Sequence, residues 1–294
     1  MITAIKKATT QNKLKFKDKN IEKTFLSKGF VVLEIFDEQD LKKLRLLYKE
    51  NLGKFKIKPG ENHSSCDTLN YSFIKKINLE IGRIIIPRLD EIFSSYDYLL
   101  SSYLTKEPGK ENKTNYHQDP TMIESSVDIS AGLWTPLQNT DTHNGCLRLV
   151  EGSHRLKDVL SITPSFPPVF RKFSEKLKYY DEDITLLAGQ GVLFDNKLIH
   201  GAHANHSKKK RIAVVTALKS KGARWVYYHR ENDEKKVGKY LMDSDMYAEH
   251  QHGKKPKGEL VERFNYKFPE LSYIEFVKFV FLNNPIQTIK NLFK

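Results

Sequence analysis

Three residues of this chain have the types and the spacing of a metal site. His117 and Asp119 lie two residues apart within residues 115–120, and His200 lies in the later segment 197–201. On a β-strand, residues i and i+2 point to the same face, so His117 and Asp119 would point the same way. Two imidazoles and one carboxylate form the ligand set that holds non-heme Fe(II) and leaves coordination positions open. The three residues therefore predict an iron site that activates dioxygen.

An arginine follows the second histidine at the start of an apolar strand. Arg211 comes after the turn-like residues 205–210 and directly before the apolar residues 212–215. A hairpin between His200 and Arg211 would place the guanidinium beside the metal. A guanidinium is a planar, permanently charged fork that binds a carboxylate through two hydrogen bonds. We therefore expect a dicarboxylate cosubstrate that contacts iron at one end and Arg211 at the other.

The elements that must position these residues are predicted to be mainly β-strands. A strand at 29–35 leads into an amphipathic helix that begins after Asp37 as N-cap and ends before Gly53. From about residue 96, short apolar runs alternate with turn residues, which is typical of an antiparallel sandwich or barrel rather than of βαβ units. The predicted strands in this part are 98–104, 129–138, 147–151, 184–187, 191–194, 211–218 and 224–228.

The composition indicates a folded protein of a reducing compartment. Of the 294 residues, 39% are hydrophobic and 11% are aromatic, which is enough for a sizeable core. The only two cysteines, Cys66 and Cys146, are too few for a disulfide framework. We see neither a signal peptide nor an apolar run of about 18 residues that would span a membrane. We therefore expect a cytoplasmic protein.

The net charge of +13 suits several kinds of partner. Much of it lies in the first twenty residues, in the runs 208–211 and 254–257, and in the C-terminal tail. No zinc-finger or RNP-type signature organises these charges into a nucleic-acid face. The pattern favours solvated surface charge, and we do not expect nucleic acid as a partner.

We divide the chain into a basic flexible leader at 1–20, a single domain at 21–260 and a helical basic tail at 261–294. The segment 155–183 interrupts the strand pattern between the two halves of the metal motif, and it is either a lid or an inert surface excursion. The tail has apolar residues at helical spacing from 273 onward. We expect a helix packed on the domain's own surface, with peripheral contact to a membrane or partner as the alternative.

Five motifs occur in a fixed order along the chain. They are His117-Gln118-Asp119, Leu133-Trp134-Thr135-Pro136-Leu137, Asn144-Gly145-Cys146-Leu147-Arg148, Glu151-Gly152-Ser153-His154-Arg155, and His200-Gly201 followed by Arg211. Together they resemble the phytanoyl-CoA dioxygenase family of Fe(II)/2-oxoglutarate oxygenases, in outline from about residue 21 to residue 228. The resemblance implies a mainly β fold with flanking helices, a double-stranded β-helix that forms a jelly-roll or cupin-like barrel.

The same resemblance implies a role for each motif residue. His117, Asp119 and His200 would be the catalytic iron ligands, Arg211 would bind the far carboxylate of 2-oxoglutarate, and Trp134 would lie beside this cosubstrate. In the family, 2-oxoglutarate and O₂ are consumed, succinate and CO₂ are released, and an aliphatic C–H bond is hydroxylated. Related halogenases lack the carboxylate ligand, so the presence of Asp119 favours hydroxylation.

One position departs from the family pattern. The family often has a serine two residues after the distal histidine, where its hydroxyl supports the far carboxylate, and this chain has Ala202. Arg211 would then need another partner, and we expect Thr135 or His203 in that role.

The substrate is not encoded in any motif that we recognise. We expect a small or carrier-bound metabolite, which Lys106, Arg148 or Arg224 would meet if it is anionic. Two alternatives stay open: an oxygenase that acts on nucleic acid or protein, and a non-catalytic family member that serves as a binding module.

Overall fold

The computed structural model of the chain describes residues 14–51, 60–124, 128–156, 159–162, 167–231, 236–250 and 254–283. Within these ranges the α-helices are α1 (Lys19–Lys28), α2 (Glu38–Asn51), α3 (Tyr71–Ile92), α4 (Ser244–Glu249) and α5 (Tyr273–Asn283). Two 3₁₀-helices span Ser153–Arg155 and Arg171–Tyr179. The strands are β1 (Lys15–Phe16), β2 (Phe30–Glu34), β3 (Asn62–Ser64), β4 (Phe93–Ser95), β5 (Asp97–Lys106), β6 (Thr114–His117), β7 (Ser130–Pro136), β8 (Leu147–Leu149), β9 (Glu182–Ile184), β10 (Gln190–Asp195), β11 (His200–Ala202), β12 (Arg211–Lys219), β13 (Val226–Arg230), β14 (Lys236–Leu241) and β15 (Leu260–Asn265).

Two antiparallel sheets form the centre of the fold. The larger sheet has the strand order β2-β10-β7-β12-β5-β3, and the smaller sheet has the order β6-β11-β8-β9. Their facing sides share one apolar cluster, to which Trp134 and Val192 contribute from the larger sheet and Leu149 and Ala202 from the smaller. Two sheets that close over a common interior, with helices outside, confirm the predicted double-stranded β-helix.

Three helices cover the outer side of the larger sheet. Ile77, Ile81 and Ile85 repeat every four residues along α3 and are fully buried, which is the stripe expected for a helix packed along one face. They share a core with Leu133 and Val214, which lie on the outward-facing side of the larger sheet. This packing covers the outer side of the larger sheet, and the opposite side faces the interior.

The predicted helix after the first strand is present as α2. The side chain of Asp37 accepts a hydrogen bond from the backbone N–H of Asp40 at 2.9 Å, as an N-cap residue does. The predicted stop, Gly53, lies outside the described residues. The long helix α3 and the strands β14 and β15 were not predicted, whereas β13 overlaps the strand predicted at 224–228.

Several predicted boundaries move. The strand expected at 184–187 lies at Glu182–Ile184, and the helical stretch of the insertion is the 3₁₀-helix Arg171–Tyr179 with non-helical dihedral angles at Phe173. Residues 157–158 and 163–166 of that insertion lie outside the described part. Its function as a lid stays a prediction.

Both ends of the predicted domain are tied to packed residues. Leu14 and Phe16, within the predicted leader, are buried in the core beneath α1. At the other end, Phe276 of α5 packs against Phe173 of the insertion with ring centroids 5.1 Å apart. Among the helices that the structure describes, none has the length and apolar character needed to cross a membrane.

Candidate metal and cosubstrate site

The two predicted histidine ligands are neighbours on the smaller sheet. His117 ends β6 and His200 begins β11, and the two residues are direct cross-strand partners. Their ring centroids lie 4.1 Å apart. Antiparallel pairing therefore brings together two residues that are far apart in sequence.

The carboxylate of Asp119 lies between the two imidazoles. Its Oδ1 is 3.8 Å from Nε2 of His117 and 3.7 Å from Nε2 of His200. Because β6 ends at His117, Asp119 lies in the loop beyond the strand rather than on it, which corrects the strand argument made from sequence. The loop is held in place because the N–H of Asp119 donates to the carbonyl of Asn196 at 2.9 Å.

Both imidazoles are oriented by backbone carbonyls. Nδ1 of His117 lies 2.9 Å from the carbonyl of Asn115, and Nδ1 of His200 lies 3.0 Å from the carbonyl of Leu198. A carbonyl oxygen only accepts, so Nδ1 carries the proton of each bond, and in the neutral ring Nε2 then has a free lone pair. The two lone pairs are thereby directed to the side where Asp119 lies, as metal-binding histidines require.

The environment keeps His200 neutral. Its ring is buried beside the phenyl ring of Phe194, at a centroid distance of 4.7 Å. Burial, and then repulsion from His117, lowers the pKa of His200 to about 4. A neutral imidazole is the form that binds a metal ion. The side chains of His117, Asp119 and His200 also lie close enough together to hold one ion.

Arg211 reaches the interior from the opposite sheet. It begins β12 of the larger sheet, whereas His200 begins β11 of the smaller sheet, so the predicted hairpin between them is wrong. The chain crosses from one wall of the barrel to the other, and this crossing brings the guanidinium inside. Arg211 is 2% exposed and lies over the ring of Trp134 at 5.0 Å.

The guanidinium of Arg211 lacks partners for part of its fork. Its Nε and Nη1 are buried and have no hydrogen-bond acceptor among the described residues. Burial lowers its pKa to about 10, so it stays charged at neutral pH. A buried guanidinium without an acceptor is costly unless an anion binds there. This feature fits a carboxylate ligand in the space beside Trp134.

A second cation lies next to Arg211. Lys106 is the cross-strand partner of Arg211 and is 1% exposed. Its Nζ donates to the carbonyl of His203 at 2.7 Å and to the hydroxyl of Thr114 at 3.2 Å. Burial and the charge of Arg211 lower its pKa to about 7.

Neither residue that we expected to assist Arg211 contacts it. Thr135 pairs with Val214 and packs against Gly191, on the helix-facing side of the larger sheet, so the sheet separates it from Arg211. The imidazole of His203 is bonded to Asp183 at 2.6 Å. Adjacent residues of a strand point to opposite faces, so only one of Trp134 and Thr135 could face the interior.

The residue opposite Ala202 was missed in the sequence. Thr114 of β6 pairs with Ala202 of β11 beyond an irregularity in the register, and the hydroxyl of Thr114 accepts from Nζ of Lys106. No motif marks Thr114. Only the pairing of β6 with β11 places Thr114 across from the position at which the family often has a serine.

Two cavities adjoin Asp119. The larger, of about 520 Å³, is lined by inward-facing residues of β5 and β12 such as Leu100 and Ala217, and by Tyr227 and Tyr247. The smaller, of about 220 Å³, is lined in part by residues 159–161 of the insertion. The larger cavity gives a small molecule a route to the candidate metal ligands.

A jelly-roll barrel that brings two histidines and one aspartate within reach of one ion has the architecture of non-heme-iron oxygenases. The chain belongs to the phytanoyl-CoA dioxygenase (PhyH) family, whose family model matches residues 59–213. The predicted family and the predicted enzyme class, a dioxygenase, are therefore confirmed.

Comparisons with individual proteins agree with this membership. A phytanoyl-CoA dioxygenase of Arabidopsis thaliana is 23% identical over 68% of this chain and 88% of its own length. The chain spans about half the length of further curated relatives from rice, Caenorhabditis elegans and zebrafish.

Among solved structures, the alpha-ketoglutarate-dependent carbocyclase SnoK is similar with a TM-score of 0.53 and 18% identity, over 71% of this chain and 86% of SnoK. The epimerase SnoN, solved with Fe³⁺, alpha-ketoglutarate and nogalamycin RO, has a TM-score of 0.52 and 15% identity, over 70% of this chain and 86% of SnoN. These likenesses show the shared fold.

Proposed function

We propose that this chain is an Fe(II)- and 2-oxoglutarate-dependent dioxygenase that hydroxylates an aliphatic C–H bond of a small molecule, with succinate and CO₂ as co-products. The observation that carries the proposal is the buried guanidinium of Arg211, which has unpartnered N–H groups in the same barrel interior as the histidines and the aspartate. A metal site alone would fit many reactions. A metal site with a buried carboxylate receptor fits a 2-oxo dicarboxylate.

His117, Asp119 and His200 would hold the iron, which supplies the activation of dioxygen when it is bound. The carbonyls behind the two histidines fix the ring orientations, so the ligands need little rearrangement on binding. Arg211 would bind and orient the far carboxylate of 2-oxoglutarate. Trp134 stacks on Arg211 and keeps water from the guanidinium.

The complete ligand set supports an enzyme over a binding module. A module that only recognised a ligand would have no need for two oriented lone pairs and a carboxylate around one point. The cytoplasmic location expected from composition stays a prediction. Cys66 and Cys146 are both free thiols.

The larger cavity bears on the substrate. Among the described residues that line it, the charged side chains are the carboxylates of Asp67, Asp119 and Glu249. Two of the cations considered for an anionic substrate have acidic partners elsewhere: Arg148 lies 2.6 Å from Asp181, and Arg224 lies 3.1 Å from Glu124. The third, Lys106, is bonded inside the barrel.

We therefore propose a neutral or cationic small molecule, held against Tyr71, Tyr227 and Tyr247 in the larger cavity. Aromatic faces attract cations as well as apolar groups. A panel of neutral, amine-bearing and anionic metabolites, scored by mass spectrometry for one added oxygen atom, tests the preference. Turnover confined to anionic metabolites would contradict it.

The reaction class is tested with purified, iron-loaded protein and 2-oxoglutarate under air. We expect succinate formation that requires oxygen and is abolished in His117→Ala. The exposed residue His206 provides the control, because His206→Ala removes an imidazole away from the candidate ligands. Protein that binds neither Fe(II) nor 2-oxoglutarate would exclude the proposed function.

A further inference from the structure

A second group of metal-binding side chains lies on the smaller sheet. Among the residues that the structure describes, two groups of histidine, cysteine and acidic side chains have ligand atoms close enough together to hold one ion. One is the candidate iron site. The other consists of Cys146, Asp183 and His203, whose ligand atoms all lie within 4.8 Å of one another. The proposed function makes no use of this second group.

Strand pairing brings the three residues of the second group together. Cys146 directly precedes β8, and His203 directly follows β11, which pairs with β8. The N–H of His203 donates to the carbonyl of Cys146 at 3.0 Å and continues this pairing by one residue. Asp183 of β9 pairs with Arg148 of β8, two residues beyond Cys146. Residues opposite each other, or two apart on one strand, share a face of a sheet, so the backbone already aligns the three side chains.

The second group lies on the outer face of the smaller sheet. The neighbouring residues Leu147 and Ala202 belong to the apolar cluster inside the barrel, so alternation directs Cys146 and His203 to the opposite face. His203 lines a cleft of about 520 Å³ that is bordered on its other side by residues of the insertion such as Arg171. The cleft gives an ion from solution access to this group without passing through the barrel.

The ligand types of the second group differ from those of the first in one respect, which is the sulfur atom. A thiolate is a soft ligand that favours zinc, and an imidazole and a carboxylate complete ligand sets of zinc sites. One thiolate and one carboxylate also neutralise a divalent cation. Burial raises the pKa of the Cys146 thiol to about 12, so the thiol of the free protein is protonated and releases this proton when a metal binds.

The neighbouring cation does not occupy the carboxylate of Asp183. The Nε of Arg148 lies 2.6 Å from Asp181 and 3.8 Å from Asp183, so Asp181 is its principal partner. Oδ1 of Asp183 instead lies 2.6 Å from Nε2 of His203. These two atoms share one proton, which a metal ion replaces when it binds.

We propose that Cys146, Asp183 and His203 form a second metal site, which takes Zn(II) and leaves one coordination position to water. The ion ties β9, an edge strand of three residues, to β8 and β11. This inference does not depend on the proposed function, because the two sites share no ligand.

The thiolate is tested with Co(II) as a spectroscopic probe for Zn(II). Co(II) bound by a thiolate has a sulfur-to-metal charge-transfer absorption, whereas Co(II) bound only by nitrogen and oxygen has none. We expect this absorption in the full-length wild type and its loss in Cys146→Ser. Cys66→Ser removes the other thiol and should keep the absorption. His117→Ala should also keep it, because this variant changes only the candidate iron site.

The carboxylate is tested at an exposed position, where a substitution leaves the core intact. Asp183→Ala should bind Zn(II) more than about 10-fold more weakly in a calorimetric titration, since loss of a group that only orients a ligand already costs about that much. Both this variant and its control are made in the His117→Ala protein, so that only the second site is measured. Glu182→Ala removes the adjacent exposed carboxylate of β9 and should bind Zn(II) as before.

The outcomes that would overturn the second site are distinct from those that concern the proposed function. Wild-type protein without the charge-transfer absorption, or Cys146→Ser with it, would exclude the thiolate as a ligand. Equal Zn(II) affinities of Asp183→Ala and Glu182→Ala would exclude the carboxylate. Failure of the protein to bind 2-oxoglutarate would contradict the proposed function and leave the second site standing.

Discussion

His117 and His200 are cross-strand partners whose Nε2 atoms both lie within 3.8 Å of one carboxylate oxygen of Asp119. The backbone carbonyls behind the rings leave both lone pairs on the side of that carboxylate. The three residues therefore form a preoriented candidate metal site, and the contribution of each can be tested by mutation.

Loss of a group that orients a metal ligand through a hydrogen bond weakens metal binding by about 10- to 100-fold. We predict a larger loss for Asp119→Ala, because this variant removes a ligand itself. The variant removes the one anionic ligand and leaves two neutral imidazoles. Titration with Mn(II), followed by calorimetry, measures the change. His206→Ala should bind Mn(II) like the wild type, and an Asp119→Ala variant that did the same would remove Asp119 from the ligand set.

Binding of 2-oxoglutarate should weaken as the pH rises above about 7. Burial and the charge of Arg211 lower the pKa of Lys106 to about 7, so the free protein loses this proton above that pH. A carboxylate bound at Arg211 favours the charged form of its cross-strand neighbour Lys106, so a proton is taken up on binding. Linkage then reduces the affinity by up to about tenfold per pH unit.

Two groups near Lys106 do not titrate in this range. Burial lowers the pKa of Arg211 only to about 10, and burial raises that of the Cys146 thiol to about 12. Titrations between pH 6.5 and 9, in buffers of different ionisation enthalpy, measure both the affinity and the proton uptake. The dependence of 2-oxoglutarate affinity on pH should disappear in Lys106→Met. A dependence that persisted in this variant would mean that another group titrates.

Asp195→Asn should stabilise the protein at neutral pH. Asp195 is buried at the end of β10, where its Oδ1 accepts from the N–H of Lys197 at 2.8 Å, and burial raises its pKa to about 6 from 3.8. Between these values the folded state binds more protons than the unfolded state, so stability falls as the pH rises through about 4 to 6. At neutral pH the charged form is disfavoured.

Asparagine keeps the acceptor oxygen and has no charge to bury. We expect the free energy of unfolding to rise by up to about 3 kcal/mol at pH 7.5 and to change little at pH 4. Urea unfolding of both proteins at the two pH values measures this difference. An equal gain in the free energy of unfolding at both pH values would show that the charge of Asp195 is not the cause.

Phe276→Ala should destabilise the fold by about 3–5 kcal/mol. The side chain is fully buried in a cluster with Phe170, Phe173 and Leu177 of the insertion, so its removal leaves a cavity. Ile274 lies in the same helix and is 67% exposed. Ile274→Ala is therefore expected to stay within about 0.5 kcal/mol of the wild type.

Denaturant unfolding gives both values. The comparison also tests the alternative role of the tail, because a helix that serves only as a membrane or partner anchor would contribute nothing to the stability of the isolated protein. Equal stability of Phe276→Ala and the wild type would favour that alternative.

The sequence by itself determined the kind of site and the class of fold. The types of His117, Asp119, His200 and Arg211 are those that bind iron and a carboxylate, and the short apolar runs between turns indicated antiparallel strands. These conclusions depend on residue chemistry and on local periodicity, which are properties of neighbouring residues in the chain. The same alternation shows that Trp134 and Thr135 cannot both face the interior.

The tertiary structure decided which residues meet. Local periodicity does not specify which strands pair or which sheets face each other, so the sequence could not show that Arg211 enters from the opposite sheet. For the same reason it gave no sign that Lys106 is buried beside Arg211 or that Thr114 lies across from Ala202. Pairing between distant strands creates these contacts, because it brings residues together by register rather than by spacing along the chain.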